Sequence, residues 1–258
     1  MARQRWVVKA GSTMVCDGGA LLMRSWMQQV AQLRQKHNIE VIWVTSGAIA
    51  WASSRTGFKS PKRTLPQKQA LSAIGQPLIM DQYNLALQTT GLLGSQVLLT
   101  AGDMKDQTRR RNLQNTLQQL LRWKVIPILN ENDAVATEEI RFGDNDALAA
   151  QVAVMMRAQR LILMTDVDGL FDADPKSNAK AALIPHLVRV SARERNMAGK
   201  VRPGMGTGGM PSKLIAAQRA GGGRIVTHLV RGDRARNLLD IAAGRAVGTQ
   251  IGGRHGRR

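Results

Sequence analysis

The sequence predicts an α/β protein, a three-layer αβα sandwich with a mostly parallel central sheet. Two observations lead to this fold class. Short apolar runs typical of strands alternate along the chain with longer stretches whose apolar residues recur at helical spacing. Strands that alternate with helices in this way pair in parallel, and the connecting helices cover both faces of the sheet.

Each predicted element depends on one of these two patterns. In the first helix, for example, Leu22, Trp26, Val30 and Leu33 share one face. No repeat or linker-like segment interrupts the order, so we expect one domain over residues 1–258, with a disordered basic tail at 251–258. In chain order the elements are strand 6–9, helix 19–37, strand 41–44, helix 67–88, strand 96–99, helix 110–123, strand 125–129, helix 147–158, strand 160–164, helix 212–219, strand 224–229, helix 234–243 and strand 247–251.

The chain is strongly basic, since 37 Lys and Arg against 18 Asp and Glu give a net charge of +19. Such a charge suits a nucleic-acid binder, an enzyme for anionic substrates or a solvated basic surface. Aromatic residues make up only 3% of the chain, too few for base-stacking platforms, and the basic residues are spread along it. We therefore expect no specific nucleic-acid binding.

Nothing in the sequence indicates secretion or a membrane. No apolar run reaches the ~18 residues of a membrane span, and the N-terminus lacks the apolar segment of a signal peptide. The single cysteine, Cys16, cannot form an internal disulfide, which fits a reducing compartment. We expect a cytoplasmic protein without membrane contact.

Polar residues collect where the predicted strands end. Four strands run directly into small or polar residues, at 9–13, 45–48, 130–133 and 165–166, and six acids fall within residues 130–146, NENDAVATEEIRFGDND. The carboxyl ends of parallel strands meet at one edge of a sheet, where such sheets bind ligands. Any one of these segments could be an ordinary capped turn, but the four together predict a site.

The segment PGMGTGGMPSK, residues 203–213, adds a glycine loop that enters a helix. It contains G-x-G-x-x-G, but no acid follows at the distance a dinucleotide fold requires, and the GxxxxGK[ST] phosphate loop is absent. Backbone N–H groups, the helix dipole and Lys213 would favour an anion here. A surface loop with a solvated lysine is the alternative.

The motifs VVKAGS, VTSGAIA, LNENDAVA, FGDND, TDVDGLFDADP and GMGTGGMPSK occur in the order and spacing of the amino acid kinase superfamily. The set most resembles the glutamate 5-kinase family, over residues 5–251. Many members of that family carry a C-terminal PUA domain, whereas this sequence is similar to the kinase domain alone. It also has Trp51-Ala52-Ser53-Ser54 where the family often has an acidic residue and a glycine.

The resemblance implies ATP-dependent phosphorylation of the side-chain carboxylate of L-glutamate, the first step of proline biosynthesis. It implies that Mg²⁺ is carried by the nucleotide, without metal ligands on the protein, and we expect a homo-oligomer, a dimer or a tetramer. The residues implied in catalysis are Lys9, Lys213 and Asp146. Those implied in glutamate binding are Ser46, Gly47, Ala48, Asp133 and Asn145. Those implied in ATP binding are Lys9, Thr165, Asp166, Thr207, Gly208, Gly209, Met210, Pro211, Ser212 and Lys213.

Elementary chemistry agrees with these roles. The side chain of glutamate is ionised at neutral pH, so its attack on a phosphoryl group needs no general base. Catalysis is then positioning and charge neutralisation, which Lys9 and Lys213 would supply while Asp146 holds them in register. The α-ammonium of the substrate needs a carboxylate or amide partner when it loses water, and Asp133 is the candidate.

Other interpretations stay open at this point. Kinases for N-acetylglutamate, aspartate, carbamate or UMP are alternatives within the superfamily. A weakly active basic binding protein on the same scaffold is an alternative of a different class. An N-acetylated acceptor has no ammonium for Asp133 to pair with, and the presence of both Lys9 and Lys213 favours an enzyme.

Overall fold

The computed structural model describes residues 3–58, 60, 62–137, 144–175, 177–197 and 209–253. None of the helices in these ranges is long and apolar enough to cross a membrane. The strands are β1 (Gln4–Lys9), β2 (Ile39–Val44), β3 (Gly94–Leu99), β4 (Ile126–Glu131), β5 (Arg160–Thr165), β6 (His186–Leu187), β7 (Val226–Arg231) and β8 (Thr249–Ile251). The helices are α1 (Ser12–His37), α2 (Ala48–Thr56), α3 (Leu65–Gln88), α4 (Ala101–Lys105), α5 (Gln107–Arg122), α6 (Asn145–Met155), α7 (Ala192–Met197), α8 (Met210–Gly222) and α9 (Asn237–Ala242).

These strands form one sheet in the order β3-β4-β2-β1-β5-β7-β8-β6. Neighbouring strands are parallel except β7 and β8, which are antiparallel, so the prediction of a mostly parallel sheet is confirmed. β1 lies in the middle, with β2 on one side and β5 on the other. The order in which strands are added to the sheet therefore reverses at β1. Such a switch point opens a crevice at the carboxyl end of the strand.

Helices cover both faces of the sheet because side chains alternate along each strand. In β1, Trp6 and Val8 enter one apolar core with α1 and α3, whereas Val7 enters a second core with α5, α6 and α8. In β2, Trp43 belongs to the first core and Val44 to the second. The three layers are those that the sequence predicts.

Several helix boundaries differ from the predicted ones, and two of the differences, at the starts of α1 and α6, concern the site. α1 begins at Ser12 rather than at residue 19 and continues through a kink at Gly19, where φ is 54°. α6 begins at Asn145 rather than at residue 147, because the carboxylate of Asp144 accepts hydrogen bonds from the backbone N–H groups of Asp146 and Ala147. This cap places Asn145 and Asp146 in the first turn of a helix.

Some elements carry no pattern that predicts them. The sequence predicts none of α2, α4, α7 and β6, the longest of which has nine residues, too few for a clear period. The expected tail also needs correction. Ile251 is the buried last residue of β8 rather than the first residue of a disordered segment. Residues 254–258 lie outside the described residues.

The close approach of α3 to α2 depends on Gly75. A Cβ at this position would lie 1.8 Å from the backbone oxygen of Ala48. Ala48 is the first residue of α2 and directly follows Ser46 and Gly47. The absence of a side chain at Gly75 therefore lets α3 pack against a segment that is predicted to bind substrate.

Gly75→Ala should lower the melting temperature, because the added methyl group must displace the backbone of α2, and overpacking of this kind costs about 1–3 kcal/mol. Gly221→Ala is the matched control, since it lies in α8 and nothing lies within 4 Å of its added Cβ. It should leave the stability unchanged or raise it slightly. Thermal unfolding followed by circular dichroism compares them, and a wild-type melting temperature for Gly75→Ala would contradict the close contact.

Candidate active site

Three charged side chains from three different elements meet at the carboxyl end of β1. Lys9 is the last residue of β1, and Asp146 and Lys213 lie in the first turns of α6 and α8. Nζ of Lys9 is 2.6 Å from Oδ1 of Asp146, and Nζ of Lys213 is 3.0 Å from Oδ2. The hydroxyl of Ser212 also donates to Oδ2, at 2.9 Å. We call Lys9, Asp146 and Lys213 the Lys–Asp–Lys triad.

The triad is buried, with exposed fractions of 3% for Lys9, 0% for Asp146 and 4% for Lys213. Burial alone would raise the pKa of Asp146, but the two ammonium groups outweigh it and lower that pKa to about 2. Burial lowers the pKa of Lys9, which Asp146 opposes and Lys213 reinforces. With two cations for one anion, the triad has one net positive charge with little access to water, an arrangement that favours the binding of an anion.

Three helices begin near the triad without a side-chain cap. α1, α2 and α8 follow Gly11, Gly47 and Gly209, which have no capping oxygen, so the first N–H groups of these helices need other partners. A Cβ on Gly11 would lie 3.8 Å from Nζ of Lys9, and a Cβ on Gly47 would lie 3.4 Å from Cα of Ser12. These helix starts and the two lysines together suit an anion with several charges, such as a polyphosphate.

A second polar group is centred on Asn145, next to the triad. Its Nδ2 lies within hydrogen-bonding distance of three oxygens: the backbone oxygen of Thr45 at 2.8 Å, Oγ of Ser46 at 2.8 Å and Oδ1 of Asn130 at 2.7 Å. These bonds tie the ends of β2 and β4 to the first turn of α6. Because both N–H bonds of the amide are committed to these acceptors, Asn145 can offer a ligand only its oxygen.

The other residues predicted for glutamate binding also follow β2 and β4. Ser46 and Gly47 are half-buried, and Ala48 is buried at the start of α2. Asp133 is half-buried in the turn that follows β4. The structure thus places all five predicted residues at the carboxyl edge of the sheet, on the β2 and β4 side of the triad.

The residues predicted for ATP binding lie at β5 and α8. Thr165 is the last residue of β5, and its hydroxyl donates to the carboxylate of Asp166 at 3.1 Å. Gly209 to Ser212 form the start of α8, where Pro211 suits the first helical turn. Thr207 and Gly208 lie outside the described residues.

Sequence reasoning missed Gln76 as part of this edge and gave Asn130 no role. Asn130 and Gln76 are 2% and 5% exposed, and Nδ2 of Asn130 donates to Oε1 of Gln76 at 2.8 Å. No local signal marks Gln76, because its partners Gln96 and Asn130 are 20 and 54 residues distant along the chain. Ser212, which is predicted to bind ATP, donates its hydroxyl to Asp146.

Two surface cavities among the described residues lie away from the triad. A cavity of about 440 Å³ lies at the opposite end of β1, where Glu40 pairs with Arg3 and Arg5. A cavity of about 320 Å³ lies between α4, α6 and α8. Neither is lined by a triad residue, so charge and hydrogen bonding identify the site. Within the residues that the structure describes, no group of three or more His, Cys, Asp or Glu is placed to hold a metal ion.

Comparison with known proteins supplies the class. The sequence profile described as "Amino acid kinase family" matches residues 4–230. The chain therefore belongs to the amino acid kinase family, and it is an enzyme of the kinase class, as the motifs predict.

The chain is also similar, over nearly its whole length, to curated glutamate 5-kinases. It is 44% identical to one from Thermus thermophilus, over 100% of this chain and 69% of the relative. It is 40% identical to that of Geobacillus kaustophilus, over 98% and 68%. It thus spans about two thirds of the length of these relatives. The UMP kinase from Ureaplasma parvum matches with a TM-score of 0.63 and 15% identity, over 98% of this chain and 100% of that one, which shows a shared fold alone.

Asp146→Asn should destabilise the protein strongly at neutral pH. The variant keeps the shape of the side chain but leaves two buried ammonium groups without a counter-charge, and breaking such a pair typically costs about 3–5 kcal/mol. Asp240→Asn is the matched control, because the 2.6 Å pair of Asp240 with Arg245 is partly exposed and such pairs contribute about 1 kcal/mol or less. Denaturant unfolding measures both.

The stability difference between wild type and Asp146→Asn should shrink in acid. Folding lowers the pKa of Asp146 to about 2, so its stabilising effect is complete above the unfolded pKa of about 4 and is lost as pH falls toward 2. Equal stability of the two proteins at neutral pH would contradict a structural role for this carboxylate.

Proposed function

We propose that this protein transfers the γ-phosphoryl group of ATP to the side-chain carboxylate of L-glutamate, giving L-glutamyl 5-phosphate and ADP in the first step of proline biosynthesis. The observation that carries the proposal is the Lys–Asp–Lys triad at the carboxyl end of β1. Further support comes from relatives named glutamate 5-kinase at 39–44% identity.

The triad suits a phosphoryl group that moves between two oxygens. Lys9 and Lys213 contact different oxygens of Asp146, so their ammonium groups are held in a fixed relation. Each ammonium has three N–H donors, and the hydrogen bond of Lys213 to Asp146 uses one of its three. Phosphoryl oxygens placed between the two lysines would be neutralised from both sides by donors that need no rearrangement.

The nucleotide would lie on the β5 and α8 side of the triad. Thr165, Asp166 and the first turn of α8 provide hydroxyl, carboxylate and backbone N–H groups there. The uncapped starts of α1 and α8 fit phosphate oxygens. Mg²⁺ carried by the nucleotide would supply further neutralisation of phosphate charge, while the two lysines are the contribution of this chain.

Glutamate would lie on the β2 and β4 side. Ser46 accepts a hydrogen bond from Asn145, so its own O–H remains to be donated to a substrate carboxylate. The uncapped start of α2, at Gly47 and Ala48, offers backbone N–H groups for the same purpose. The oxygen of Asn145 and the carboxylate of Asp133 would receive the α-ammonium.

The reaction needs positioning rather than a base. The substrate carboxylate is ionised at neutral pH, so one of its oxygens attacks phosphorus while the bond from phosphorus to the ADP oxygen breaks, and no proton moves. Charge on the transferring phosphoryl oxygens is stabilised by Lys9 and Lys213, and Asp146 keeps both lysines in place.

L-Glutamate should be the best acceptor when the protein is incubated with ATP, Mg²⁺ and hydroxylamine, which traps acyl phosphates. Aspartate should be poor because the missing methylene withdraws its carboxylate from in-line reach. N-Acetylglutamate should be poor because it lacks the ammonium. ADP release is measured in parallel, since UMP gives no acyl phosphate. A faster reaction with N-acetylglutamate or UMP than with glutamate would refute the proposal.

Lys9→Ala and Lys213→Ala should each lower kcat by about 10²- to 10³-fold, the usual cost of losing one donor to the transition state. Lys36→Ala, on an exposed position of α1, is the control and should leave kcat unchanged.

Asp133→Ala should mainly raise KM for glutamate while KM for ATP stays near normal. Steady-state kinetics with both substrates varied gives kcat and both KM values for the lysine and Asp133 variants. Circular dichroism first shows that each variant is folded. Near-normal kcat in either triad variant would remove that lysine from the mechanism.

A further inference from the structure

We propose that Gln76 is a positioning residue for the acceptor site. It supplies the acceptor for the amide of Asn130, which in turn accepts from Asn145, and through these two residues it positions the groups that face the amino-acid substrate. This inference rests on the proposed function, because it concerns how that substrate is recognised.

A continuous line of amide hydrogen bonds leads away from the site. Nδ2 of Asn145 donates to Oδ1 of Asn130 at 2.7 Å, Nδ2 of Asn130 donates to Oε1 of Gln76 at 2.8 Å, and Nε2 of Gln76 donates to Oε1 of Gln96 at 2.9 Å. Every bond in the line runs in the same sense, from the nitrogen of one amide to the oxygen of the next. We call these four residues the amide relay.

The middle of the amide relay is buried and its outer end is exposed. Asn130 and Gln76 are 2% and 5% exposed, whereas Gln96 is exposed on the edge strand β3. A buried amide that loses its partner cannot replace it with bulk water, so each inner bond is costly to leave unmade. The orientation of one inner amide therefore constrains the next.

Asn130 is held in one orientation from both sides. Its Oδ1 accepts from Asn145 and from the backbone N–H of Glu131, at 3.0 Å, and its Nδ2 finds an acceptor in Gln76. Rotating this amide by half a turn would set its NH₂ group against two donors and its oxygen against the oxygen of Gln76. Gln76 thus supplies the acceptor that completes the observed arrangement.

The arrangement determines what the site offers to a ligand. Asn145 has its nitrogen committed and presents an oxygen, while Ser46 accepts from Asn145 and keeps its O–H to donate. One acceptor and one donor side by side match the ammonium and carboxylate of an amino acid. Asn145 has three acceptors for its two N–H bonds, and Asn130 is the one that ties it to β4 and that Gln76 in turn holds in place; if Asn130 shifted, Asn145 would lose that tie.

A purely structural role for Gln76 predicts a loss of stability without a change in substrate affinity. Gln29 is the matched control, because it is also 5% exposed and lies in a long helix. Its Oε1 accepts from the backbone N–H of Leu238 at 3.1 Å, in a contact between α1 and α9. Gln29→Met and Gln76→Met therefore remove the same groups from two buried positions, only one of which belongs to the amide relay.

Gln76→Met should raise KM for glutamate by about tenfold, a change equivalent to about 1.4 kcal/mol, with KM for ATP unchanged and kcat changed much less. Gln29→Met should lower the melting temperature but leave KM for glutamate at the wild-type value. Gln76→Glu keeps an acceptor oxygen for Asn130 and should restore most of the affinity. A wild-type KM for glutamate in Gln76→Met would overturn the inference. A tenfold rise of this KM in folded Gln76→Glu would also overturn it, and this second test applies even where Gln76→Met does not fold.

A double-mutant cycle tests whether Gln76 acts through Asn145. In an Asn145→Ala background, whose own KM for glutamate will be raised, Gln76→Met should add little further increase. A full additional tenfold increase would show that Gln76 acts by another route. The wild-type reaction separates the two proposals: no phosphorylation of glutamate by wild type refutes the proposed function and this inference with it, whereas an active wild type with an unaffected Gln76→Met refutes the inference alone.

Discussion

The contact of one buried carboxylate, Asp146, with the ammonium groups of Lys9 and Lys213 is the constraint that the rest of the structure must satisfy. Buried charges are tolerated only in good geometry, and here the three partners arrive on β1, α6 and α8. Their alignment requires a strand that ends at the crevice and helices whose first turns start there. The Asp144 cap fixes the start of α6 and so places Asp146. Parallel strands beside β1 keep its end from shifting.

The buried charge of the Lys–Asp–Lys triad acts on the site differently from the net charge of the whole chain. A net charge of +19 attracts anions to the surface in general, but solvated charges are screened over about 10 Å at ordinary salt. The single excess positive charge of the Lys–Asp–Lys triad is buried and therefore screened much less. Local burial, rather than net charge, makes this edge suited to a transferring phosphoryl group.

How much the sequence predicts depends on how local the relevant interactions are. Period-2 and helical patterns depend on neighbouring residues, and they predict the sheet and its covering helices. The cap by Asp144 is equally local, but the later apolar residues dominate the helical pattern, so the predicted start of α6 is two residues late. Gln76 could not be assigned in this way, because its partners Gln96 and Asn130 are 20 and 54 residues distant along the chain. The motif resemblance, not periodicity, named Lys9, Asp146 and Lys213 together.

Asn145 and Asp146 show how two chemically different sites are joined. They are consecutive residues of one helical turn, yet Asn145 belongs to the neutral amide relay and Asp146 to the charged triad. A neutral relay can orient a substrate that brings its own charges without altering the balance of charge around the phosphoryl group. A charged residue in the position of Asn145 would add to or cancel the excess of the triad at short range. In the proposed reaction, the first turn of α6 would therefore set the distance between the acceptor and the phosphoryl group while it keeps their electrostatics separate.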